Sequence, residues 1–273
     1  MEYRIIEHGD SRYITVPQLE EMGLKVIFTT NHMDMGRKTV KSLDSLDESF
    51  SKVFSAMELE KAPHFFMDQV HSDVVIDVRS NGQGEPHRLG TLLGEGDAMV
   101  TRLKGVALST TFADCVPVVL FDAKRKVHAN IHSGWKGTLA RIAEKALEKM
   151  AESYGSDPSD IVAIIGPHIG FIDFEIGNDV FDLFEKEFGE ENIRYESIGN
   201  GKYHLDLGDL VKKMLTGKGV PADAIFQIDL STYSEPGLLH SYRRDREGFG
   251  LMCMVTCCTS CGSDAEGVTN EGF

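Results

Sequence analysis

Apolar and polar positions alternate in short β-like runs broken by a few stretches of helical period. A strand falls at Leu24–Thr29, and Leu43, Leu46, Phe50, Val53 and Phe54 recur at helical spacing within 40–59. Phe65 to Val78 reads as one or two strands, followed by a Gly-rich loop from Asn81 to Gly96 and a strand from Ala98 to Thr101. The runs 105–112, 116–121 and 127–132 are apolar and β-branched, and the turn-like DAKRK predicts a β-hairpin from Val116 to His132. Leu139, Ile142, Ala143, Ala146, Leu147 and Met150 mark one face of a helix over 137–154, which Gly155 ends. Ile161–Ile165 is a buried strand closed by Gly166-Pro167. Helices over 178–188 and 207–215 and strands over 225–230 and 250–256 complete the expected core.

No repeat of fixed period and no Pro-, Gly- or Ser-rich linker interrupts the first 260 residues, so one mixed α/β (α+β) domain is expected from the 273-residue chain. Residues 1–256 are assigned to that domain, and 257–273, small, polar and aperiodic, to a tail. The N-terminus has no long apolar run. No secretory signal or membrane span is readable, and a cytoplasmic protein without membrane partners is expected. A net charge of −15 repels a phosphate backbone, which excludes nucleic acid and requires a local basic pocket for any small anionic substrate. No coiled coil or repeat suggests assembly, and a monomer is expected.

The chemistry centres on His71, Cys115 and His132. Cys115 and His132 flank the hairpin with their midpoint between Ala123 and Lys124, so antiparallel pairing is expected to set them face to face. Period-2 alternation in MDQVHSDVV puts Gln69 and His71 on one strand face. Two His and one Cys suit Zn²⁺ and leave a fourth position for water or substrate, the pattern of a catalytic site. His128, four residues before His132 and about 13 Å away along a strand, is too distant to close the shell. The five cysteines are an odd set with four near the C-terminus, not a disulfide framework. Of these, Cys253 reads as a core residue and Cys257, Cys258 and Cys261 as tail residues, with a second metal as the alternative.

The ordered motifs QVHSD (69–73), GDAMVT (96–101), TTFADCVPVVLFD (110–122), HSGWKGT (132–138) and GPHIG (166–170) resemble the YfiH/YlmD family, often labelled polyphenol oxidase or laccase-domain. Weaker matches continue through EIGNDVFDLF (175–184), YHLDL (203–207) and SYRRD (241–245). The resemblance implies zinc on His71, Cys115 and His132. It implies a layered α/β/β/α sandwich with mixed sheets, like the catalytic domain of cytotoxic necrotizing factor toxins. The activities it implies are phosphorolysis of adenosine, inosine, guanosine and methylthioadenosine, with purine nucleosides and phosphate as partners, and hydrolytic deamination of adenosine. The chain departs from the family pattern at Ser231-Thr232, where Cys-Thr is frequent, at His168, where Cys is frequent, and at Phe249, where Arg is usual.

For phosphate, Lys136, Arg243 and Arg244 are the candidates, against solvated or ion-paired surface roles. Gln69 is a candidate substrate contact, and His168 a pocket acid or base or a satisfied turn residue. Asp97 and Asp114 are proton-transfer or hydrogen-bonding carboxylates, and Trp135 either stacks on a purine or packs. Two rival functions remain: a copper-dependent (Cu²⁺) polyphenol oxidase, and a Cys–His hydrolase or deamidase with Cys115 as nucleophile.

Overall fold

Inward and outward positions along each strand sort the residues into layers. The computed structural model describes residues 1–40 and 42–259. The chain opens with a hairpin of β1 (Arg4–His8) and β2 (Ser11–Thr15), then α1 (Pro17–Glu21), β3 (Leu24–Thr29) and α2 (Leu43–Ala56). It continues through β4 (His64–Asp68), β5 (Val75–Val78), β6 (Glu85–His87), β7 (Gly90–Glu95), β8 (Ala98–Thr101), β9 (Ala107–Phe112), β10 (Val116–Asp122) and β11 (Val127–Ser133). Helices α3 (Trp135–Leu139) and α4 (Ile142–Tyr154) precede β12 (Ile161–Ile165), β13 (Glu175–Gly177), α5 (Asn178–Phe188), β14 (Tyr195–Gly199), β15 (Lys202–Leu205) and α6 (Leu207–Gly217). β16 (Ile225–Gln227), the single-turn α7 (Tyr242–Asp245) and β17 (Met252–Cys258) follow.

One sheet has eight strands in the order β1-β2-β3-β17-β9-β4-β7-β6, and a second has six in the order β16-β12-β10-β11-β8-β5. Both are mixed, with β4 parallel to β7 and β9, β12 parallel to β16, and β5 parallel to β8. Phe28, Phe112 and Met254 of the first sheet pack on Val119, Phe121 and Ile164 of the second. The outer face of the eight-stranded sheet, with Ile27, Cys253 and Val255, receives Leu46, Phe50 and Val53 of α2. The outer face of the six-stranded sheet, with Val118, Leu120, Ala129 and Ile131, receives Ile142, Ala146 and Met150 of α4 together with α5 and α6. This is the α/β/β/α sandwich expected, in a single domain. Each large apolar side chain buried between layers contributes about 1.5–3 kcal/mol, and the alternation that divides them between layers also fixes strand register.

Several local expectations change. The stretch 81–96 is not a loop: it contains β6 and β7, which pair with each other, and β7 also pairs with β4. The helix expected over 137–154 is two helices, because Arg141 takes a left-handed backbone (φ 61°) between α3 and α4. The hairpin 116–132 forms, but Pro117, not Cys115, faces His132. Asp122 accepts hydrogen bonds from the Lys124 and Arg125 backbone N–H groups, both at 3.0 Å, and this wider turn moves the register. The last strand runs past 256, since Cys257 and Cys258 lie in β17, fully buried, and Thr259 N donates to Gly23 O at 2.9 Å. Cys257 shares the α2 side with Cys253 while Cys258 faces the other sheet, so they do not converge as ligands. Burial pushes the Cys253 and Cys257 thiols up to about 12. Cys261 and the rest of the expected tail lie outside the described residues. Among the described residues no helix is long and apolar enough to cross a membrane.

Candidate metal centre

Three segments supply the three candidate ligands. On β11, alternation sends His128, Asn130 and His132 into the space between the sheets, and His132 is the member nearest the sheet end. Cys115 stands one residue before β10. Asp114 ahead of it has φ 83°, and its buried carboxylate holds that turn by accepting from Thr232 Oγ1 and from Arg243 N, both at 2.6 Å. His71 is not on a strand as expected. It lies in the loop between β4 and β5 with φ 59°, a conformation that needs support from elsewhere.

Asp97 gives that support. Its fully buried carboxylate accepts from the backbone N–H groups of Val70 (3.3 Å), His71 (3.1 Å) and Ser72 (2.6 Å), and from Ser72 Oγ (2.7 Å). The same carboxylate lies 2.9 Å from His132 Nδ1. It therefore folds the His71 loop and fixes the proton on His132 Nδ1, which leaves Nε2 for a metal. Burial alone raises the Asp97 pKa, but the hydrogen bonds from His132 and Ser72 outweigh it and hold the group at about 2.

The ligand atoms of His71, Cys115 and His132 all lie within 4.8 Å of one another, and the two rings meet edge-on with centroids 5.0 Å apart. Burial pushes the Cys115 thiol up, yet the His132 charge and hydrogen bonds from both histidines draw it down to about 6. The sulfur is thus disposed to the thiolate form that binds metal. Gly134 clears the space: a Cβ there would sit 2.6 Å from His71 Cδ2 and 3.1 Å from Cys115 Sγ. A half-buried thiolate, an oriented imidazole and an exposed second imidazole match the donor set of a tetrahedral metal with an open side.

The ligands border a cavity of about 800 Å³. Gln69, Lys136 and Arg243 line it, as does Trp135, which also packs against the core under α3. Gln69 Oε1 accepts from Thr111 N at 2.7 Å and Nε2 donates to Thr111 O at 2.8 Å, so the amide braces the wall. Lys136 is exposed, its Nζ 5.6 Å from the centre of the Trp135 ring. Arg243 donates to Glu175 O at 2.9 Å and lies over Phe174.

Two expected contacts are elsewhere. Arg244 is a bracket, not a pocket residue: it donates to Thr232 O, Tyr233 O and Leu239 O and pairs with Asp245. His168 is buried behind the wall, with Nδ1 2.8 Å from Gly166 O and Nε2 against Gly208, where a Cβ would come within 2.4 Å. Burial lowers its pKa and keeps the ring neutral. Ser231 likewise faces inward, donating to Asp173 at 2.6 Å and accepting from Gly170 N. Of the three departures from the family pattern, only Phe249 borders the cavity, beside Tyr242. Neither ring stands out from the sequence by spacing, because Tyr242 opens the single-turn α7 and Phe249 follows it outside any strand or α-helix.

The family described as multi-copper polyphenol oxidoreductase laccase matches residues 26–259. The purine nucleoside phosphorylase YlmD of Bacillus subtilis is 34% identical over 188 residues, which is 68% of each chain. Adenosine deaminase RL5, from an unknown prokaryotic organism, is 37% identical over 149 residues, or 54% of this chain and 56% of that protein. Among solved structures, the hypothetical protein YfiH of Bacillus licheniformis superposes with a TM-score of 0.83 at 26% identity, covering 93% of this chain and 99% of that one.

Proposed function

Because this chain belongs to the multi-copper polyphenol oxidoreductase laccase family, with the YfiH and YlmD proteins, we propose that it is a zinc-dependent purine nucleoside phosphorylase. Adenosine, inosine, guanosine and methylthioadenosine are its proposed substrates, with deamination of adenosine at the same site. The observation that carries the reading is the convergence of His71, Cys115 and His132 at the edge of a cavity that also holds Lys136 and Arg243.

His71, Cys115 and His132 would hold the zinc, which when bound supplies Lewis-acid charge inside the cavity. The chain's own groups account for the rest. Lys136 and Arg243 offset the charge of the phosphate, Arg243 by exchanging a neutral carbonyl for an anionic acceptor. Asp97 keeps the His132 Nδ1 proton in place throughout. Gln69 retains a second amide proton for substrate while its other contacts keep Thr111 fixed. The apolar walls at Phe174 and Ile176 limit water around the reacting sugar.

Copper is the alternative metal. Multi-copper oxidation needs several clustered ligand sets, and among the described residues one group of three His and Cys side chains could hold a metal. That favours zinc. The test is chromatographic product analysis with each nucleoside, with and without phosphate, on the wild type and Cys115→Ala. Phosphate-dependent release of free base by the wild type and its loss in the variant are expected. Base release that ignores phosphate, or full activity in Cys115→Ala, contradicts the proposal. Turnover that survives chelation would favour Cys115 as a nucleophile instead.

A further inference from the structure

The cavity holds an aromatic pair that metal and phosphate binding leave unused. Tyr242 is 53% exposed where it lines the cavity, and Phe249 meets it edge to face, with centroids 5.0 Å apart and planes at 86°. Two rings at right angles form a corner, and the exposed part of Tyr242 offers surface to a flat partner. An aromatic ring held half in water at the mouth of a cavity, on a scaffold that prevents it from folding inward, marks a surface that a ligand covers.

The scaffold is rigid for reasons that can be named. Ser241 Oγ caps α7 by accepting from Arg244 N at 3.2 Å, and Asp245 accepts from Ser241 N at 3.3 Å. The Arg244 guanidinium ties the turn to three carbonyls, those of Thr232, Tyr233 and Leu239. Arg243 N donates to the carboxylate of Asp114, the residue before Cys115. One buried carboxylate therefore sets the distance between the aromatic corner and the segment that carries the sulfur ligand.

We propose that Tyr242, backed by Phe249, is the platform on which the purine ring of the substrate stacks. The inference rests on the phosphorylase reading and adds the residues that recognise the base. Stacking of a base on an aromatic side chain is sequence-tolerant and worth about 1–3 kcal/mol by alanine substitution. Tyr242→Ala should therefore weaken base binding by about five- to 150-fold. Tyr242→Phe should bind like the wild type, because the ring and not the hydroxyl makes the contact.

The experiment measures hypoxanthine binding to the zinc-loaded protein through the fluorescence of Trp135, the single tryptophan, which lines the same cavity. A loss of about tenfold in Tyr242→Ala with recovery in Tyr242→Phe supports the platform. No binding by the wild type, or equal affinity in Tyr242→Ala, overturns it. Run in the synthetic direction, the reaction separates base from sugar phosphate. Tyr242→Ala should raise KM for hypoxanthine about tenfold while KM for ribose 1-phosphate and zinc content stay at wild-type values, and an equal rise in both KM values overturns the assignment. If the wild type binds hypoxanthine but turns over no nucleoside, the phosphorylase reading fails while the binding comparison still decides the platform.

Discussion

His128 and His132 project from the same face of β11, four residues apart, 0% and 4% exposed respectively. Burial acts on both rings to disfavour the charged form. At His132 the charge of Cys115 and the hydrogen bond to Asp97 overcome it, and the ring is raised to about 9. At His128 nothing overcomes it. Neither ring nitrogen has a hydrogen-bond partner among the described residues, and burial lowers the group to about 3. Asn130 between them is fully satisfied, by Thr110, Thr256 and the carbonyls of Leu108 and Met254. Equal burial on one strand thus yields a candidate ligand at one end and an inert neutral ring in the middle. The difference lies in the partners, the Cys115 sulfur and the Asp97 carboxylate, and it teaches that the groups around a buried histidine decide whether it is available to a metal.

Removing that carboxylate should have the largest effect. Asp97→Ala leaves three backbone N–H groups and the His132 ring without their acceptor, and an unfolding free energy lower by about 3–5 kcal/mol is expected. Zinc affinity should fall about 10–100-fold in a competitive chelator titration. Wild-type affinity in Asp97→Ala would erase the distinction drawn between the two histidines.

Acid comes next. His64, buried and neutral with its pKa lowered by burial to about 4, behaves like His128. The unfolded chain protonates both below about pH 6.5 while the folded chain does not, so stability is intact above that pH and is lost as pH falls, by about 1.4 kcal/mol per unit and per group. At pH 5 each should cost about 2 kcal/mol, ending near pH 4 for His64 and pH 3 for His128. Urea midpoints measured between pH 7.5 and pH 4.5 check this. A flat profile would mean that the folded chain protonates these rings as readily as the unfolded one.

His128→Leu should remove its share of that slope and, at neutral pH, add about 1 kcal/mol by replacing unpartnered polar nitrogens with apolar atoms. Zinc content should not change, whereas His132→Leu should lose the metal. The smallest effect applies the same logic to two cations. Lys136→Ala, at the cavity, should alter stability by less than about 0.5 kcal/mol yet raise KM for phosphate several-fold. Arg244→Ala should do the reverse, because its guanidinium is already committed to backbone carbonyls.

Most of the layered core was legible because alternation and helical period are local signals. β3, β8, β12 and α5 fall where the pattern places them, and His132 shares a face with His128 as alternation requires. Features set by distant partners were not legible. The left-handed backbone at His71 depends on Asp97, 26 residues away in sequence, and no property of MDQVHSDVV announces it. The hairpin register depends on the Asp122 side chain capping the turn, which displaces Cys115 from the position opposite His132. Cys257 and Cys258 read as polar tail because small residues follow them, although the central position of β17 buries them on both faces. Arg243 and Arg244 are adjacent and alike in sequence, and only the carbonyls around α7 separate a pocket cation from a structural one.

The central claim is that His71, Cys115 and His132 hold one catalytic zinc. Metal analysis of the wild type and Cys115→Ala, purified without added metal and assayed for phosphate-dependent inosine cleavage before and after chelation and zinc return, tests it most directly. One zinc per chain in the wild type, little in the variant, and activity that leaves with the metal and returns with it are expected. Stoichiometric zinc in Cys115→Ala, or undiminished cleavage by the metal-free wild type, would contradict the account.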